Sequence, residues 1–211
     1  MIDVYVYLFD QLETLGDSFV EKNICKMPES RREYCLRYRR IADRQTCVVS
    51  YLLLLRGLNE KYGITGPVEF ERNAQSKPYL KDYPRIYFNI SHCGSGAVCA
   101  VSDFEIGIDI EEIHPFDPGV ARLVCTAGEL RRLDESAEKE RLFCRIWTGK
   151  ECYAKAWGIS VADILGSEPP AGEILRREWD KYMVALCCAN RAAAQIRAEW
   201  TVGDGTVLST F

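Results

Sequence analysis

The chain has 211 residues, 47% of them hydrophobic and 11% aromatic, with ten cysteines, two histidines and a formal charge of -4. That apolar content can fill a core and excludes intrinsic disorder, while the longest apolar runs, residues 4–9 and 51–55, fall far short of the roughly 20 residues of a membrane-spanning helix. The cysteines form no C-x-x-C pair, and His92 and His114 are the only histidines, so zinc-ligand spacing is absent and any metal would be held by carboxylate oxygens, as magnesium or manganese is.

Residues 1–9 alternate apolar and aromatic side chains and read as a strand. No basic segment or long apolar stretch resembling an export signal opens the sequence, so a cytoplasmic location is expected. Thiols stay reduced there, and most of the cysteines are expected as small core hydrophobes. Residues 29–40 and 41–58 carry helical periodicity, the second with Ile41, Gln45, Val48, Val49, Leu52, Leu55 and Leu58 on one face. Gly63 and Gly66-Pro67 end that helix. A short strand is expected at 68–71, then a polar loop at 72–78 and three strands at 85–90, 97–101 and 105–111. The connections at 91–96 and 102–103 have hairpin length.

Thr126 and Glu129 match a capping box, and a longer helix runs from about 138 to 157, stopping at Gly158. Pro169-Pro170 marks a loop. Residues 182–188 and 193–202 read as strands, the latter opening on alanines that favour helix. The order predicts an α+β protein of two similar halves, 1–103 and 104–211, with no repeat visible in the residues themselves.

Several segments carry chemistry. In Ile106-Gly-Ile-Asp-Ile-Glu111, strand alternation turns the isoleucines inward and puts Gly107, Asp109 and Glu111 on the other face. Two carboxylates that close repel unless a cation lies between them; the plain alternative is a solvent-facing strand. Steps of four along the long helix give Phe143, Trp147, Glu151 and Lys155, so a carboxylate continues an aromatic stripe and should be partly buried. Its plain alternative is a surface Glu-to-Lys pair worth about 0.3 to 0.5 kcal/mol. The turn after Phe88-Asn-Ile-Ser-His92 is made of small residues and can aim backbone N–H groups at a phosphate, or it is a simple hairpin. Between residues 31 and 44 lie six arginines against two acids, a local +4 suited to a phosphorylated ligand. No nucleic-acid partner is expected, since no aromatic-interleaved basic stripe accompanies the run and an acidic chain repels a long polyanion.

The order Lys77-Pro78, Phe88-Asn-Ile-Ser-His92, Gly107-Ile-Asp-Ile-Glu111 and Trp147-x-x-Lys-Glu-x-Tyr-x-Lys155 resembles the Sfp-type 4'-phosphopantetheinyl transferases. The resemblance implies a monomer of two similar α+β halves related by pseudo-twofold symmetry, with coenzyme A as co-substrate in the cleft between them. It implies that Asp109, Glu111 and Glu151 bind magnesium (or manganese) and that Glu151 is also the catalytic base. Lys155 would meet the pyrophosphate, Ser91 and His92 the coenzyme A phosphates, and Lys77 and Pro78 the adenine. Arg72 and Arg44 would touch the nucleotide or its 3'-phosphate. The partner would be an apo acyl, peptidyl or aryl carrier protein, modified on a serine with release of adenosine 3',5'-bisphosphate, in fatty-acid, polyketide or nonribosomal peptide synthesis.

Three positions depart from the pattern: Ser76 stands where glycine is usual, Cys93 where serine is common, and Cys152 for the serine after Lys-Glu. Ser76 puts the adenine loop in question because a β-carbon disfavours positive φ; the cysteines are near-isosteric. Two other classes compete with the transferase: a non-catalytic coenzyme A or nucleotide-binding module, which would bind without metal or modified carrier, and a metal-dependent phosphodiesterase or nuclease, which would release nucleotides.

Overall fold

A computed structural model describes residues 1–170, 172–203 and 208. The first strand, β1 (Ile2–Phe9), is apolar on both faces because both are covered. After two short 3-10 turns and the helix α1 (Ser18–Asn23) come α2 (Glu29–Leu36) and α3 (Ile41–Tyr62), which ends on Gly63 with φ at +67°. The 29–40 helix of the sequence reading stops at Leu36, where the Arg44 guanidinium donates to the Leu36 and Tyr38 carbonyls and fixes a turn between α2 and α3. Then follow β2 (Phe70–Arg72), β3 (Pro78–Leu80), β4 (Tyr87–His92), β5 (Ala97–Ser102) and β6 (Ile106–Glu112). The helices α4 (Pro118–Val124), α5 (Ala127–Glu135) and α6 (Lys139–Trp157) precede β7 (Ile174–Trp179), β8 (Tyr182–Cys188) and β9 (Ile196–Gly203).

Two sheets pack face to face. One has the order β4-β5-β1-β9, the other β6-β8-β7, and β2 and β3 pair separately. Between the sheets lie Val4, Val6, Leu8, Val98, Ala100, the three isoleucines of β6, and Val184 and Leu186. The outer face of the first sheet packs on α3 through Tyr7, Phe9, Cys99 and Val101. The outer face of the second packs on α6 through Cys152, Ala156, Ala185 and Cys187. The helices α4, α5 and α6 build a smaller core of their own around Val124, Leu133 and Ile146.

The architecture is α+β, as expected. The short link at 102–103, however, does not close a hairpin: β5 and β6 belong to different sheets, because β6 needs one apolar face on the first sheet and the other on α6. The last strand, though beyond residue 104, joins the sheet built by the first hundred residues, pairing parallel with β1 from Ile2↔Ile196 to Phe9↔Gly203. Its preceding alanines form a 3-10 turn, Ala193–Gln195, in keeping with their helical preference. The expected Thr126 and Glu129 capping box is present in full.

Eight of the ten cysteines are buried; Cys25 and Cys93 are not, and all ten are free thiols. Among the described residues no helix is long and apolar enough to cross a membrane.

The approach of β6 to α6 is set by Gly107. A Cβ there would overlap the Cys152 carbonyl oxygen and come within 2.5 Å of the Ala156 nitrogen, both backbone atoms of a helix that cannot yield locally. Gly107→Ala should therefore cost about 3 kcal/mol or more, the upper end for overpacking. Urea unfolding monitored by circular dichroism checks this, and a loss below about 1 kcal/mol would contradict it.

Candidate active site

The site lies where β4, the edge of one sheet, runs beside β6, the edge of the other. No ladder joins them; instead the Asn89 side-chain oxygen accepts from the Ile108 N–H at 2.9 Å. Two residues further along, Ser91 Oγ donates to Asp109 Oδ1 at 2.7 Å. Lys155 of α6 completes the contact, its ammonium donating to Asp109 Oδ1 at 2.6 Å and Ser91 Oγ at 3.0 Å, with Glu151 Oε2 at 3.7 Å. Glu111, two residues along the same face, accepts from the Trp147 indole N–H at 2.9 Å.

The alternation of β6 thus holds, but the carboxylate face is not in water: α6 covers it, and Asp109 is 2% exposed. The Glu151–Lys155 pair is no surface pair either, with side chains 21% and 28% exposed. Burial pushes all three carboxyls above the usual carboxylate range. Lys155 opposes the shift, and the negative charge of Asp109 adds to it at Glu111 and Glu151. His92 is pushed below its usual value by burial and then by Lys155.

A cleft of about 760 Å³ opens over this seam, within the range of ligand sites. Arg72, Pro78, His92 and Lys155 line it, as do Arg31, Tyr34, Tyr38, Arg40, Asp43, Thr46, Phe70, Phe88 and Asn89. Arg31 lies over the Tyr34 and Phe70 rings, and its Nε is buried without a partner, as is Ser50 Oγ. Ser91, Asp109, Glu111 and Glu151 are not among the residues lining the cleft, and two further expected ligand residues, Arg44 and Lys77, are engaged elsewhere. Arg44 staples the α2–α3 turn and is not among the residues lining the cleft, where Arg40 stands instead. Lys77 reaches to Glu105 Oε2 at 2.5 Å and the Ile106 carbonyl at 3.0 Å, and lines a smaller cavity of about 240 Å³.

Ser76 does adopt the glycine-like backbone, with φ at +63°. The turn is held by Asn73, whose Oδ1 accepts from the Gln75 and Lys77 N–H groups, and by Arg72, which donates to the Ser76 carbonyl at 2.6 Å. Cys152 is fully buried and donates to the Gly149 carbonyl, and burial pushes the Cys93 thiol up to about 12, so neither is a nucleophile.

The sequence placed Arg31 in the basic run suited to a phosphorylated ligand without singling it out, and the packing of α2 on α3 brings it into the cleft. Lys150, part of the Trp147-to-Lys155 motif but given no role from sequence, is fully buried and bonded to Glu129 Oε2 at 2.8 Å and the Val124 carbonyl at 2.7 Å; this ties α6 to the α4–α5 junction next to Glu151.

Among the described residues no three His, Cys, Asp or Glu side chains are gathered as a ready metal cage. One feature nevertheless fits a hard divalent ion: Asp109 Oδ2 is buried and lacks a hydrogen-bond partner, and the Glu111 and Glu151 carboxyls lie near enough to feel its charge.

Residues 105–209 match the model of the 4'-phosphopantetheinyl transferase superfamily, and residues 18–103 match that of the 4'-phosphopantetheinyl transferase N-terminal region. The chain is 32% identical over 166 residues to the 4'-phosphopantetheinyl transferase psf-1 of Bacillus pumilus, covering 74% of this chain and 70% of that protein. It is 31% identical over 158 residues to gsp of Aneurinibacillus migulanus, covering 74% and 65%, and 28% identical over 131 residues to Sfp of Bacillus subtilis (strain 168), covering 61% and 58%.

The raised carboxyl pKa values have a consequence for stability. A raised folded value means the fold favours the protonated group, so that contribution is complete below the unfolded value, about 4, and is lost as pH rises through the folded one. Glu151→Gln removes one such group, so its stability relative to wild type should increase as pH rises from the unfolded value through the folded one in metal-free urea unfolding. A difference that stays flat or shrinks with pH would contradict the burial of that charge.

Proposed function

Since the chain belongs to the 4'-phosphopantetheinyl transferase superfamily, we propose that it moves the 4'-phosphopantetheine arm of coenzyme A to a serine hydroxyl of an apo acyl, peptidyl or aryl carrier protein. Adenosine 3',5'-bisphosphate would be the leaving group. The observation that carries this reading is the Lys155 ammonium, which lines the cleft and is bonded to Ser91 and Asp109 with Glu151 beside it.

A serine hydroxyl is a weak nucleophile and needs a positioned base. Glu151, half-buried and held above the usual carboxylate range, accepts that proton more readily than an exposed carboxylate would. The serine oxygen bonds to the pantetheine-side phosphorus, and the bond from that phosphorus to the nucleotide's bridging oxygen breaks. The electron pair leaves with adenosine 3',5'-bisphosphate. Lys155 and His92, both lining the cleft, donate to the phosphate oxygens that gain charge. Asp109, Glu111 and Glu151 would hold magnesium or manganese, which supplies further positive charge at the pyrophosphate. Trp147 keeps one oxygen of Glu111 hydrogen-bonded and so fixes the rotation of that carboxylate. The cleft's arginines, Arg31, Arg40 and Arg72, suit the nucleotide phosphates.

Incubating the protein with apo carrier proteins, coenzyme A and magnesium should add the phosphopantetheine mass to the carrier, read by mass spectrometry. Chelation with EDTA should stop the gain, and Glu151→Gln should abolish it while the circular dichroism spectrum stays native. Turnover retained in folded Glu151→Gln would sink the assignment of the base, and no mass gain on any carrier would sink the function.

A further inference from the structure

We propose that the turn between α2 and α3, with the helix ends beside it, is the docking surface for an acidic carrier protein; this rests on the function proposed above. Within eight residues the turn exposes three large apolar side chains, Tyr34 at 37%, Leu36 at 52% and Ile41 at 41%. Apolar side chains exposed together on a soluble surface mark interaction sites, and tyrosine and arginine are enriched in interface cores.

Around them stand Arg32, Arg37, Arg39 and Arg40, which have no ion pair or side-chain hydrogen bond among the described residues. Within a chain that is acidic as a whole, this local excess of guanidinium groups is complementary to an acidic partner. A helix carrying carboxylates beside apolar anchors satisfies both halves of the surface.

The nucleotide accounts for Arg40 but not for the other three arginines. Arg32, Arg37 and Arg39, like Leu36 and Ile41, are absent from the cleft lining, whereas Tyr34 and Arg40 belong to it. The surface therefore begins at the cleft mouth and runs outward from it. A protein substrate has to bring its serine to that mouth, and a carrier seated here would already abut it. The turn is also preorganised, because Arg44 holds it through two backbone carbonyls and Tyr34 packs edge-on against Tyr38.

The test uses the full chain, an acidic apo carrier and coenzyme A. A triple charge reversal, Arg32→Glu with Arg37→Glu and Arg39→Glu, should raise the KM for the carrier about tenfold or more. The KM for coenzyme A and kcat should stay unchanged. Wild-type kcat/KM for the carrier should fall with added sodium chloride, and the triple variant should lose most of that dependence. Leu36→Ser, at an exposed position, is the second variant and should raise the carrier KM several-fold without altering the salt dependence. A triple variant with wild-type carrier KM and salt dependence would overturn the surface while leaving the function intact. Absence of arm transfer by the wild-type protein would instead remove the functional reading, and the surface with it.

Discussion

Everything at the cleft follows from one carboxylate taken out of water. Asp109 is 2% exposed, enclosed by the β6 backbone, by β4 and by α6. Burying an ionised carboxylate costs several kcal/mol unless it is paired and hydrogen-bonded. The fold answers with a hydroxyl from one strand and an ammonium from one helix, both on the same oxygen, and leaves the second oxygen without a partner. Ser91, Asp109 and Lys155 come from three elements far apart in sequence, so the pairing also fixes how those elements sit against one another. Residual negative charge and an unused lone pair are what remain for a ligand.

That arrangement needs β6 to touch α6 along its backbone, and side chains elsewhere make the contact possible. On the inner face, the isoleucines of β6 interlock with β1 and β8. On the outer face, Gly107 removes the one Cβ that would hold the helix away. From behind, the buried Lys150–Glu129 pair anchors α6 to the start of α5, where Glu129 also closes the Thr126 capping box. With its neighbour locked in this way, Glu151 is held beside Lys155. The stripe Phe143, Trp147, Glu151, Lys155 passes from the core shared with α4 and α5 to the cleft within three turns of helix.

Much of this was legible in the sequence where one periodicity dominates. The strand β1, the long helices α3 and α6, and the strand carrying Asp109 and Glu111 all follow from alternation or from steps of three and four, with Gly63 and Gly158 at the helix ends. Of the side chains that periodicity assigned to one stripe of α6, Lys155 meets Asp109 and Trp147 meets Glu111. What stayed hidden depends on long-range pairing. Residues 174–179 carry too many charges to read as a strand, yet they form the edge β7 because β8 supplies a ladder. Residues 78–80 form a strand only because residues 70–72 turn back on them. Arg44 and Lys77 sit in segments that do border the site, but nothing local says which way an arginine or lysine will point when carbonyls and a glutamate lie within reach.

The parallel pairing of β1 with β9 links residue 2 to residue 196 and residue 9 to residue 203. Without residues 196–203, β1 is paired only on its β5 side and its other edge stands open. Contacts of such sequence separation are slow to form, and an unpaired apolar edge is prone to join the wrong strand. The sheet that carries β4 to the cleft is thus completed by the pairing of its first strand with its last, and until that pairing forms β1 offers an open edge.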